Sequence, residues 1–102
     1  MPLSLIEAYV VLRQLAKNPR HVHDLGTGLL MVWFFEPTSD PNIEYEIVMQ
    51  YDANELALSK VQYVQIEPPV MWDISNAWQE DEGTRSVISR LIRTVRNALE
   101  LP

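Results

Sequence analysis

Seven consecutive apolar residues, Leu29-Leu30-Met31-Val32-Trp33-Phe34-Phe35, leave this chain few ways to fold. A surface helix keeps one polar side, so the run is not an amphipathic helix. A helix needs roughly 20 apolar residues to cross a bilayer, so it is not a membrane span either. Aromatic and branched side chains, with Gly28 before them and Pro37 just after, predict a strand over about 28–36. Successive side chains of a strand point to opposite faces, so both faces of this one call for cover. One cover can come from the chain's own helices. The other must come from more of the chain or from a partner.

The flanking segments supply helices and further strands. Ser4 followed by Glu7 spells a capping box, and Leu5, Ala8, Tyr9, Leu12, Leu15 and Ala16 recur at helical spacing up to Asn18-Pro19. That predicts a helix over about 4–17. Residues 18–27 are expected to be connection, with Gly26-Thr27-Gly28 as a flexible lead into the strand. Ile43 to Tyr51 alternates well and predicts a second strand, with Tyr45 on its apolar side and Glu44 and Glu46 on a solvated one. A turn is expected at Asp52-Ala53-Asn54-Glu55. A third strand, about 57–66, breaks parity between Leu58 and Val61; a bulge near Ser59-Lys60 or cover on both faces would account for that.

After Pro68-Pro69 the spacing of Val70, Met71, Ile74, Ala77 and Trp78 predicts a short helix near 69–79. The last helix is expected to start with Thr84 as its cap. Its apolar face is Val87, Ile88, Leu91, Ile92, Val95, Ala98 and Leu99. The order α-β-β-β-α-α implies a single α+β domain: a three-stranded antiparallel meander with helices on one face.

At 102 residues the chain has enough length for one core but little margin. It has no cysteine, hence no disulfide and no thiolate chemistry. Glu7 and Arg13 interrupt the early apolar stretch, so no secretory signal is read there, and a cytoplasmic protein is expected. Residues 24–82 carry twelve acidic side chains and one Lys, while Arg13, Lys17 and Arg20 lie before them and Arg85, Arg90, Arg93 and Arg96 after them. A formal net charge of −6 opposes indiscriminate binding to phosphate backbones.

Candidate chemistry is thin. His21, His23 and Asp24 fall short of the three or four ligands that zinc wants. No serine sits in a nucleophile turn, and the glycine pair precedes a strand, whereas phosphate loops follow one. Glu44 and Glu46 share a face, but nothing there separates two pKa values for acid-base work. No metal, cofactor or enzymatic activity is expected.

The order α-β-β-β-α resembles that of double-stranded RNA-binding domains, but Glu80, Asp81 and Glu82 stand where that family carries paired lysines. Small acidic secretion chaperones are similar in order. So are ubiquitin-conjugating-like domains, with Pro68-Pro69 following the meander; without a cysteine, that likeness implies only a non-catalytic binding variant. Each likeness is one of element order alone.

The sequence therefore points to a small protein-binding module, an adaptor, chaperone-like factor or inhibitor, expected to be a homodimer. Tyr45, Trp72 and Trp78 are its candidate anchors. Glu44, Glu46, Glu80, Asp81 and Glu82 are expected to steer a basic partner. The alternative is nucleic-acid binding through Arg85, Arg90, Arg93 and Arg96.

Overall fold

The computed structural model describes residues 3–53 and 55–102. Asn54, in the expected turn at Asp52–Glu55, lies outside them. The chain runs α1 (Leu5–Ala16), β1 (Val22–Asp24), β2 (Leu30–Pro37), β3 (Ile43–Tyr51), β4 (Leu56–Gln65), β5 (Val70–Asp73) and α2 (Glu82–Ala98). Short 3-10 turns at Pro19–His21 and Trp78–Glu80 precede β1 and α2. All five strands form one antiparallel meander in the order β1-β2-β3-β4-β5. The α+β class stands, while the expected three strands become five and the expected three helices become two.

α1 begins as its sequence requires. Ser4 Oγ accepts from the Glu7 amide at 3.3 Å, and Glu7 Oε1 accepts from the Ser4 amide at 3.1 Å. Between β1 and β2, Gly26 and Gly28 take φ of +75° and +79°, so they build a hairpin turn that a side chain would strain. β1 falls within the segment expected as connection, because three residues, two of them in a His-Val-His run, carry no strand pattern. Pairing with Leu30–Val32 makes it a strand.

The parity break in β4 is a bulge. Val48 pairs with Lys60 and Met49 with Leu58, which leaves Ser59 as the extra residue. Leu56, Leu58, Val61 and Tyr63 then all pack with the core.

The segment after Pro68-Pro69 corrects the expected helix over 69–79. Val70–Asp73 instead returns along β4, pairing Gln65 with Val70 and Tyr63 with Trp72. A short isolated helix has an unfavourable nucleus, whereas the outer edge of β4 offers ladder partners at once. The strand is then locked: Ile74 donates its amide to the Val61 carbonyl at 2.8 Å, and Ser75 Oγ bonds both the amide and the carbonyl of Val61. Ile74 and Trp78 still reach the core, which is why their spacing looked helical.

α2 starts earlier than its expected Thr84 cap. Asp81 is the N-cap, and its Oδ2 accepts from the Thr84 amide at 2.9 Å and from Thr84 Oγ1 at 2.8 Å. Thr84 itself is wholly buried against the sheet.

Both helices lie on one face. Ala8 and Leu12 of α1, and Ile88 and Val95 of α2 with Leu99 just beyond it, pack with Leu30, Val32, Phe34, Ile47, Met49, Tyr51 and Val61. The shortest extent of the molecule, 20 Å, fits one sheet plus one layer of helix. Adjacent phenylalanines therefore have opposite fates: Phe34 is 5% exposed and Phe35 is 41% exposed. In urea unfolding, Phe34→Ala should lose about 3–5 kcal/mol, while Phe35→Ala should lose no more than about 1 kcal/mol.

Candidate interaction surfaces

Alternation along β2 and β3 builds the first surface. On the face away from the helices, β2 presents Met31, Trp33 and Phe35, paired across to Gln50, Val48 and Glu46. β4 and β5 continue it with Lys60, Gln62, Val64, Met71 and Asp73. None of Met31, Trp33, Phe35, Val48, Val64 or Met71 joins the core cluster, and Met71 is 65% exposed. Val48 and Gln62 are buried there, Val48 between its cross-strand neighbours Trp33 and Lys60 and Gln62 between Glu46 and Asp73.

The two histidines belong to this face. The His21 ring lies 5.0 Å from the Phe35 ring, and the His23 ring 4.9 Å from that of Trp33. His23 Nε2 is 2.9 Å from the Arg20 carbonyl, which can only accept, so that nitrogen donates. The imidazoles thus extend the aromatic strip toward the β1 edge. Among the described residues no group of three or more His, Asp or Glu is placed to hold a metal ion.

The acidic pair borders the same strip. Glu44 and Glu46 are half-buried on it, and Glu46 Oε2 accepts from Gln62 Nε2 at 2.7 Å. Gln62 Nε2 also reaches Met71 Sδ at 3.4 Å, tying β3 to β5 across the face.

The expected anchors gather elsewhere. Tyr45 is 7% exposed and points to the helix side, where its ring packs 5.2 Å from that of Tyr63. Tyr45 pairs with Tyr63, and Tyr63 with Trp72, so three aromatic side chains form one row across β3, β4 and β5. Trp72, 45% exposed, ends that row beside a cavity of about 440 Å³, which Asp40 and Asp81 also line. Trp78 is partly buried against the core. Glu80 and Glu82 are exposed at the start of α2. The structure thus separates Trp72 and Asp81 from Glu44 and Glu46, placing them on opposite sides of the sheet.

The four arginines lie on α2. Arg85, Arg90 and Arg93 are exposed; Arg85 donates to the Gln79 carbonyl and Arg96 to that of Pro102.

The aromatic row is tied to α2 through one hydroxyl. Asp81 is a carboxylate whose pKa is held below its ordinary value, first by the Thr84 amide and then by the Thr84 hydroxyl. Thr84 Oγ1–H therefore donates to Asp81. That leaves the Thr84 oxygen to accept from Tyr45 at 2.8 Å and from Tyr63 at 3.3 Å. Burial pushes the Tyr45 phenol up, so it keeps its proton for this bond.

No protein-family model, no curated protein and no solved structure matches the chain, so geometry alone carries the functional reading. Among the described residues no helix is long and apolar enough to cross a membrane.

Two outcomes follow from the tyrosine–threonine–aspartate network. Thr84→Val should destabilise by about 1–3 kcal/mol, because it strands a buried phenol. Adding Tyr45→Phe should recover part of that loss in a double-mutant cycle. Asp81, Asp73 and Glu7 all have depressed folded-state pKa values, set first by the Thr84 amide, the Ser75 hydroxyl and the Ser4 amide respectively. Their stabilisation is present above the ordinary carboxylate pKa of about 4 and is lost as pH falls through the folded values. The thermal midpoint should therefore drop on acidification. Asp81→Asn, which keeps a capping acceptor, should flatten that drop.

Proposed function

We propose that this protein is a small non-enzymatic protein-binding module whose contact surface is the helix-free face of its sheet, and that its partner is a basic protein. One observation carries the reading: both helices pack on the same side, so the strip from His21 and His23 through Trp33 and Phe35 to Met71 stays uncovered. Partly exposed aromatic side chains are the usual anchors of protein interfaces. The principal-axis extents of 40 and 26 Å leave room for the roughly 800 Å² that a standard interface takes from each partner.

Charge selects the occupant. Glu44, Glu46 and Asp73 outnumber Lys60 on this face, and the whole chain carries −6. A second copy docked face to face would set like charges against each other, whereas a basic chain meets them with opposite sign. We therefore assign this face to a different chain, and the homodimer expected from sequence is not proposed through it. The absence of cysteine is compatible with the cytoplasmic setting we include in the proposal. The arginine face of α2 supports the nucleic-acid alternative less, since two of its four side chains already serve backbone carbonyls.

The test is a chemical-shift titration with a Lys- and Leu-containing amphipathic peptide and its Glu-containing counterpart. The basic peptide should perturb β2 and β3, and its affinity should fall as salt rises from about 0.05 to about 0.3 M. Glu44→Lys with Glu46→Lys should weaken it several-fold. Equal binding of both peptides, shifts confined to α2, or a clean self-associated dimer built on β2 would overturn the reading.

A further inference from the structure

We infer that the cleft bounded by the β2–β3 loop, the aromatic row on β3, β4 and β5, and the N-terminus of α2 is a binding site for an alkylated ammonium head group. The row Tyr45–Tyr63–Trp72 supplies aromatic surface on one side of it, and Asp40 and Asp81 stand on its border. At about 440 Å³ it falls within the range of small-ligand pockets, roughly 300–1,000 Å³.

Elimination gives the chemistry of the ligand. Among the described residues no Lys or Arg lines the cleft, and two carboxylates do, so an anion is repelled. A neutral apolar group would gain contact with the rings but nothing from Asp40 or Asp81. A strongly hydrated ion would have to shed water against aromatic walls. A quaternary or methylated ammonium is weakly hydrated, is attracted by the negative faces of aromatic rings, and answers the carboxylates.

The site is also preorganised. The hydroxyls of Tyr45 and Tyr63 are turned to Thr84, which fixes both rings. Asp81 Oδ2 accepts from the Thr84 amide and hydroxyl, which holds that carboxylate at the helix start. Asp40 Oδ1 is taken by the Asn42 amide at 2.9 Å, which fixes that carboxylate in place. Arg85, whose charge is felt at Asp81, bonds the Gln79 carbonyl and is not among the residues lining the cleft. This inference is independent of the partner proposed for the opposite face, and either can fail without the other.

The experiment follows the Trp72 indole N–H in ¹H–¹⁵N spectra at constant ionic strength. Choline, an N-acetylated trimethyllysine amide and 3,3-dimethylbutan-1-ol, the uncharged isostere of choline, are added in turn. At least one of the two cations should give a saturable shift, about tenfold tighter than the alcohol. Choline alone would point to a free small molecule, and trimethyllysine alone to a modified basic side chain; both carry the shared chemistry. Trp72→Ala, followed through the backbone amides of Ser39 and Asp40 in the cleft wall, should abolish the response. Asp81→Asn and Asp40→Asn, which keep their backbone-accepting oxygens, should each weaken it several-fold. Equal affinity for cation and alcohol, no shift with either cation, or indifference to both asparagine variants would overturn the assignment.

Discussion

A five-stranded sheet has two faces, and this chain owns helix enough for one. Four strand spacings of about 4.8 Å make a sheet roughly 20 Å across, the width of two helices side by side. The two helices, of 12 and 17 residues, fill that width on a single side. Leu30, Val32 and Phe34 are thereby sealed, and the outward side chains of β2 are left to their sheet neighbours. The burial of Leu30, Val32 and Phe34 and the partial exposure of Met31, Trp33 and Phe35 are one fact seen from two sides.

Much of that was legible in advance because it rests on local periodicity. β2 and β3 follow from the apolar run and the clean alternation of Ile43–Tyr51, and α1 from a capping box that forms as written. What escaped was set by pairing. β1 has three residues and β5 four, and neither has a period long enough to read; each is a strand because a neighbouring edge offers it hydrogen bonds. The helical spacing of Ile74, Ala77 and Trp78 was genuine, but it came from a turn and a 3-10 segment folding back on the core. The candidate anchors were sorted by the same pairing. Tyr45 went inward by alternation, and Trp72 followed it through the register of two ladders, so the expected single patch became two surfaces.

The charge pattern of the chain acquires a spatial meaning in this arrangement. The acidic middle segment supplies the sheet and its connections, and the basic tail supplies α2. Glu44 and Glu46 lie on one side of the molecule and Arg85, Arg90 and Arg93 on the other. Basic helices do not simply neutralise an acidic sheet here. The bonds that Arg85 and Arg96 make are to carbonyls near the two ends of α2, so their charge is left facing outward. The separation is local, because Asp40, Asp81 and the exposed Glu80 and Glu82 put negative charge beside the start of α2 as well.

Asp81 joins these threads, because one side chain serves three levels of the structure. Locally it caps α2, occupying a free amide at the positive end of the helix. Through the Thr84 hydroxyl it fixes the direction of two phenolic hydrogen bonds and so holds the aromatic row against the helix start. At the surface its carboxylate gives the adjoining cleft a negative border. A threonine cap would have met only the first of these needs, since a hydroxyl can either donate or accept and so sets no direction on the Thr84 hydroxyl, and it brings no charge to the cleft. The Asp81 carboxylate therefore fastens helix, sheet and cleft at one point.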